Sequence, residues 1–197
     1  MTPHTKETVE FAKLLIAFQR VERAVMVPGT DRHENDAEHS YLLAMLGWYL
    51  IDTLKLDLDK KKVFEAALAH DLVEVYATDT PAFSKDEKIK ASKQMREEEA
   101  KKKIAAQFPA FHGLHEAMER YEKRADKESV FVYALDKLAP IICGMSQDGR
   151  DWKRQDISFD QVFEYKRSQI EADKDVYALF QEIMTFMDKD RKKYFNS

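Results

Sequence analysis

Apolar residues recur along most of this chain at spacings of three and four, the repeat of an α-helix with one buried face. Phe11, Leu14, Leu15 and Phe18 form the first stripe; Pro28-Gly29 is expected to end that helix, with the polar segment Thr30 to Asp36 as a loop. A second helix is expected from Asp36 as N-cap through Leu42, Leu43, Leu46 and Leu50. A third starts near Asp59 and carries Val63, Phe64, Ala67 and Leu68, then His70-Asp71. It should stop before Pro81, because a residue preceding proline disfavours helical dihedrals.

Ser84 with Glu87 reads as a capping box ahead of a highly charged helix to about Gln107, whose charge blocks read as a solvated face. Pro109 and Gly113 bracket a break before a short helix to Arg124. The segment from about Lys127 to Met145 is apolar on nearly all sides, which places it centrally, and Pro140 should kink it or interrupt its hydrogen bonding. Ser158 with Gln161 is another capping box, opening a last amphipathic helix over about 158–190. The pattern is that of an all-α protein of about six or seven helices.

Composition narrows this further. A chain of 197 residues suits one domain over 1–197, and 5 Gly with 5 Pro are too few for a turn-rich β sandwich or barrel. A net charge of −4 offers no general attraction for nucleic acid or an anionic membrane surface. Cys143 is the single cysteine, so no internal disulfide is expected and a reduced compartment fits. No apolar run looks long enough for a secretory signal or a membrane span, so a cytoplasmic protein is expected.

Candidate chemistry begins at His70-Asp71, in the apolar run Ala66 to Val73. An imidazole beside a carboxylate there needs a partner, and a divalent cation satisfies both groups. His39, in the string from Asn35 to Ser40, and Asp136, at the end of the apolar stretch from Val130, can complete a coordination shell. Two imidazole nitrogens and two carboxylate oxygens suit Mn, Co, Ni, Fe or Zn. Four such ligands without a thiolate leave room for water, a catalytic rather than structural arrangement. Glu74, four residues after His70 and three after Asp71, is expected on the same helical face, beside the metal rather than on it.

The order His, His-Asp, Asp resembles that of the HD-domain metal-dependent phosphohydrolases. The strings Glu38-His39-Ser40, His70-Asp71-Leu72-Val73-Glu74 and Thr78-Asp79-Thr80-Pro81 look like the 5'-deoxynucleotidase branch. The resemblance covers about residues 10–145. It implies a single HD-domain helical bundle, one divalent metal on His39, His70, Asp71 and Asp136, and hydrolysis of nucleoside 5'-monophosphates, deoxynucleotides in particular. It implies that Arg23 neutralises phosphate, that Glu74 orients or deprotonates the attacking water, and that Asp79 lies near the sugar and the leaving group. Arg32, His33 and Asn35 form a polar loop that could cover the substrate. That branch often carries a tryptophan after the arginine, whereas this chain has Ala24-Val25-Met26.

Two other functions stay open. Alarmone hydrolases of the guanosine tetraphosphate type share the His-Asp ligands but usually read His-Asp-x-x-Glu-Asp, and here Val75 follows Glu74. A non-catalytic HD scaffold would bind a nucleotide as a signal. His112 and His115 could add a second metal in principle, but Gly113 interrupts them in a polar neighbourhood, which favours surface histidines. Trp48 and Trp152 read as packing aromatics. A homodimer is expected, because the resembling family commonly pairs and Val176, Leu179, Phe180, Ile183, Phe186 and Met187 offer more apolar surface than one core needs.

Overall fold

A computed structural model describes residues 1–79 and 87–196 and is helical apart from one short hairpin. Helix α1 (Pro3–Phe18) starts on Thr2, whose hydroxyl accepts from the Thr5 amide, with Pro3 where a missing N–H costs nothing. It stops well before Pro28-Gly29. The segment beyond it, rich in β-branched Val21, Val25 and Val27, forms strand β1 (Glu22–Met26), antiparallel to β2 (His33–Asn35). Pro28-Gly29 therefore turns a hairpin instead of ending a helix, and Gly29 supplies the φ of +77° that the turn needs. The expected loop from Thr30 is in part the second strand.

Helix α2 (Asp36–Leu54) is capped by Asn35, one residue earlier than expected. The Asn35 carbonyl oxygen accepts from the Glu38 amide while the Glu38 carboxylate accepts from the Asn35 amide. That reciprocal pair leaves Asp36 free to point inward, where it is fully buried. Helix α3 (Lys60–Ala69) is capped by Asp59 as expected, but it ends at His70. Turns carry the chain through Asp71, Leu72 and Val73 into α4 (Glu74–Ala77). The expected helix to Pro81 is thus broken at the His-Asp pair. The Ser84 capping box lies outside the described residues.

The charged helix α5 (Glu87–Gln107) is followed by α6 (His112–Lys123) and the long α7 (Lys127–Ser146). Helix α7 begins on a reciprocal Asp126–Ser129 cap and runs on through Pro140. By length and hydropathy alone it could cross a membrane, which the reading of the apolar runs overlooked. Asp136 and Lys137 sit mid-helix, and α2, α3, α6, α9 and α10 pack around it, so it is the core helix of this fold. The expected single last helix over about 158–190 is instead two, α9 (Phe159–Ile170) and α10 (Lys174–Asp188), flanked by the short α8 (Arg150–Gln155) and α11 (Arg191–Tyr194). Asp173 interrupts it, because its carboxylate accepts from the Asp175 and Val176 amides and starts α10 anew. Short helices such as α4, α8 and α11 take the count above six or seven.

Two apolar clusters hold these helices. The larger surrounds α7, with Leu43, Val63, Phe131, Leu135, Leu138, Phe180 and Met184 buried. Each such side chain contributes about 1.5–3 kcal/mol by leaving water. The smaller lies under α1, where Leu14 and Phe18 meet Leu72, Ile104 and Met118. The α10 stripe expected to pair two chains packs inside the monomer instead: Val176, Phe180 and Met187 are fully buried, with Leu179 and Ile183 packed on the core. Phe186 is the exception, 59% exposed. Exposed apolar side chains collect elsewhere, at Tyr41, Met45, Trp48 and Tyr49 of α2.

Candidate metal centre

His39, His70, Asp71 and Asp136 come from three separate elements and meet at one point, each offering a donor atom within 4.8 Å of the others. The first turn of α2 brings His39, the end of α3 brings His70-Asp71, and the middle of α7 brings Asp136. His39, His70 and Asp136 are buried. His39 Nε2 lies 3.0 Å from Asp136 Oδ1, and His70 Nε2 lies 2.9 Å from Asp71 Oδ2 and 3.9 Å from Asp136 Oδ1. Donors about 2.1 Å from one ion at right angles lie about 3 Å apart, so these spacings suit a shared cation.

An orphaned atom supports the same fit. His70 Nε2 is buried and makes no hydrogen bond despite its closeness to Asp71, so the ring nitrogen and the carboxylate face a common point. On the other side of the ring, Nδ1 lies 3.0 Å from the Ala67 carbonyl, which fixes the ring with Nε2 toward the cluster. Asp136 is braced in the same manner: its Oδ2 accepts from Tyr121 Oη at 3.1 Å and from Lys137 Nζ at 2.6 Å, leaving Oδ1 for the centre. Without a cation the charges settle on each other. The His39 imidazole is pushed up to about 9: burial and Arg23 oppose this, but Asp136 and Glu34 on its two nitrogens prevail.

Arg23, on β1, sits against this cluster. Its guanidinium donates to Asp36 Oδ1 at 3.0 Å and to Asp71 Oδ2 at 2.6 Å, and Glu34 lies 3.5 Å from its Nε. Its charge already compensates carboxylates. Asp36, Asp71 and Glu74 also converge within 4.8 Å, but Arg23 bridges two of them where a second ion would have to lie. Among the described residues, His112 and His115 belong to no cluster of possible ligands; His115 Nε2 lies 2.8 Å from the Phe108 carbonyl and His112 is exposed.

Glu74 reaches the site by a route other than the expected continuous helix. Backbone hydrogen bonds from Leu72 to Ala69 and from Glu74 to Asp71 span three residues, so the turn is of 3₁₀ type. Side chains three apart eclipse in that geometry, which stacks the Asp71 and Glu74 carboxyls on one side. Burial, then Asp71, Asp36 and Asp79, push Glu74 up to about 11. Asp36 is raised to about 6 by burial and Asp71, held back by Arg23 and by a hydrogen bond from Glu74. A single proton therefore serves both carboxyls. Asp71 stays ionised well below the usual carboxylate range: burial opposes this, but His70 and Arg23 beside it prevail.

Asp71 and Asp136 of the cluster open onto a cleft of about 180 Å³, lined also by Arg23, Glu74, Asp79, Lys93 and Lys137 and by Pro140, Ile141, Trp152, Val162 and Lys166. Ala24 also lines it, where a tryptophan would have narrowed it. Trp152 is a buried packing aromatic that edges this cleft, while Trp48 is exposed on α2. Arg32 and His33 are not part of its lining. Arg32 makes a two-pronged pair with Glu38 at 2.7 and 2.8 Å on the outer surface, and His33 is held in β2, so the hairpin carries both away from the substrate position.

Four contributors went unread in the sequence: Asp36, Glu34, Tyr121 and Lys166. Asp36 hid behind its cap-forming chemistry, although Asn35 beside it already served that need. Lys166 was legible as a lone charge on the buried stripe Phe159, Val162, Lys166, Ile170. Nothing local marks Glu34 or Tyr121.

The profile of a family described as HD domain matches residues 17–176. A crystal structure from Magnetospirillum magnetotacticum MS-1, named a predicted metal-dependent phosphohydrolase, superposes with a TM-score of 0.82 at 24% identity, covering 97% of this chain and 95% of that one. A conserved hypothetical protein from Pyrococcus furiosus superposes with a TM-score of 0.60 at 20% identity, covering 92% and 99%. At such identities the likeness establishes the fold. No curated protein matches the chain.

Proposed function

The chain belongs to the HD-domain family, and on that premise we propose that it is a metal-dependent phosphomonoesterase. Its substrates on this reading are nucleoside 5'-monophosphates, deoxynucleotides among them, and its products are nucleoside and phosphate. The observation that carries the reading is the meeting of His39, His70, Asp71 and Asp136 at one point, with Asp71 and Asp136 opening onto a cleft whose walls also hold Glu74 and Asp79. A divalent Mn, Co, Ni, Fe or Zn ion on those four residues would supply Lewis acidity toward a phosphoryl oxygen and a more acidic bound water.

The chain's own residues do the rest. Ala67, Tyr121 and Lys137 fix the orientation of the donor groups of His70 and Asp136, so they need not reorganise. Glu74 takes the proton of the attacking water; it ionises more readily once the neighbouring Asp71 charge is neutralised. Asp79, a further carboxyl of the cleft outside the four candidate ligands, faces the sugar and the leaving oxygen on this reading. Arg23 keeps Asp36 and Asp71 in place and lies within reach of a phosphoryl oxygen. The nearby protein from Magnetospirillum, named for metal-dependent phosphohydrolysis, is in keeping with this chemistry.

The size of the cleft favours a small substrate. At about 180 Å³ it falls below the roughly 300–1,000 Å³ of sites that enclose a drug-sized ligand. A monophosphate would seat its phosphate and sugar there with the base toward the open side, whereas a guanosine tetraphosphate would leave a larger part of itself outside. Phosphate release from ribo- and deoxynucleoside 5'-monophosphates with added Mn or Co tests the reading, with guanosine tetraphosphate alongside. Activity on the alarmone alone would transfer the protein to that class, and binding without turnover would make it a scaffold.

We also propose that the protein is a homodimer, through a surface other than the buried α10 stripe. Tyr41, Met45, Trp48 and Tyr49 lie exposed along one helix, an apolar patch of the kind that marks contact surfaces.

A further inference from the structure

Among the described residues, Lys166 is the cation of the cleft lining that has no carboxylate partner. It sits on the inner stripe of α9 between Val162 and Ile170 and is 6% exposed, yet it lines the cleft. Each other cation of that lining has a partner: Arg23 has Asp36 and Asp71, Lys137 has Asp136, and Lys93 has Glu97 at 3.4 Å. Among the described residues no carboxylate lies within 4.0 Å of Lys166 Nζ. Its charged neighbours are Lys137, Asp136 and Arg23, at the metal end of the cleft.

Such a placement costs the fold something. Burial, then the like charges of Lys137 and Arg23, hold the Lys166 ammonium down to about 7, with Asp136 opposing. A buried ammonium without a counter-charge is among the more expensive groups a core can hold. A methionine or leucine would fit the stripe at lower cost. The Tyr165 ring, 5.7 Å from Lys166 Nζ, offsets part of that cost, and an anion entering the cleft would offset the rest. A phosphate monoester brings close to two negative charges at neutral pH, and the charges of Arg23 and Lys137 are already balanced by carboxylates.

We propose that Lys166 is a substrate-binding residue that donates to a phosphate oxygen of the substrate and supplies the positive charge that Arg23 and Lys137 do not. This rests on the phosphomonoesterase reading for the identity of the substrate, although phosphate binding can be measured without turnover.

Lys166→Met, which keeps the length of the stem and removes the charge, tests it in the full, metal-loaded chain, with inorganic phosphate as the probe and calorimetry as the readout. We expect the Kd for phosphate to rise about 10- to 100-fold, the scale of one charge-assisted hydrogen bond. KM for a nucleoside 5'-monophosphate should rise in step, with kcat changing less, and Lys166→Arg should restore most of the affinity. Without ligand, Lys166→Met should unfold at a temperature equal to or above the parent's, since a buried unpaired charge has gone; a merely structural lysine would give a lower one. A phosphate Kd within twofold of the parent's overturns the proposal. Should the methionine variant fail to fold, Lys166→Gln is read by the same Kd criterion. If the parent hydrolyses monophosphates while Lys166→Met binds phosphate normally, Lys166 falls and the esterase reading stands. If phosphate binding depends on Lys166 but no monoester is hydrolysed, the esterase reading falls and the anion site stands.

Discussion

Replacing Glu74 by glutamine separates the chemistry of the site from its construction. Glu74 is 4% exposed and faces Asp71, Asp36 and Asp79, and this environment moves its carboxyl from 4.5 to about 11. The folded, metal-free chain therefore holds a proton on Glu74 at neutral pH that the unfolded chain gives up. A folded pKa above the unfolded one means stability present in full below pH 4.5 and lost as pH rises toward the folded value. The scale is about 1.4 kcal/mol for each pH unit in that window. Sharing of the proton with Asp36 and local relaxation reduce the figure, and we expect the parent to lose on the order of 1–3 kcal/mol through Glu74 between pH 5 and pH 8. Glutamine is already neutral and loses nothing from this source. Urea unfolding of both metal-free chains at the two pH values should show Glu74→Gln gaining on the parent as pH rises. Parallel stabilities across that range would refute the account of the carboxyl cluster. In the loaded enzyme the same variant should keep its metal and lose about 10²-fold or more in turnover. Hydrolysis at the parent rate would remove Glu74 from the mechanism, and departure of the metal would make it a ligand.

Three further outcomes follow from the same geometry. Asp136→Ala should reduce bound metal from about one per chain to near zero by elemental analysis, because Oδ1 faces the other donors; unchanged content removes it from the shell. Arg23→Met leaves fully buried Asp36 and its neighbour Asp71 without their counter-charge and should cost about 3–5 kcal/mol in urea unfolding. A loss under about 1 kcal/mol would mean that Arg23 does not hold the cluster together. Light scattering at micromolar protein should give twice 23.0 kDa, and Trp48→Glu should return the chain to 23.0 kDa; a monomeric parent rejects the dimer.

The helical class and most element positions were legible in the sequence, because three- and four-residue spacing of apolar side chains is a local property. Asp59, Ser158, the end of α5 and the bounds of α7 could be read for the same reason: capping and burial patterns act within a few residues. His70, Asp71 and Asp136 stood out in the sequence as titratable groups in apolar runs, and His39 through the family resemblance; the structure brings the four together. What the sequence could not decide is what depends on partners distant along the chain. Arg23 is 48 residues from Asp71, and Asp136 is 97 from His39. Only the packing of β1, α2, α3 and α7 shows that Arg23 faces carboxylates while Arg32 turns outward to Glu38. The α10 stripe reads the same whether it covers a partner or its own core, since hydrophobicity sets the cost of exposure without naming the surface that relieves it. The break at His70 has the same character. A 3₁₀ turn is locally no better than continued helix, and it is in the folded chain, beside Arg23 and Asp36, that it aims Asp71 and Glu74 into one site.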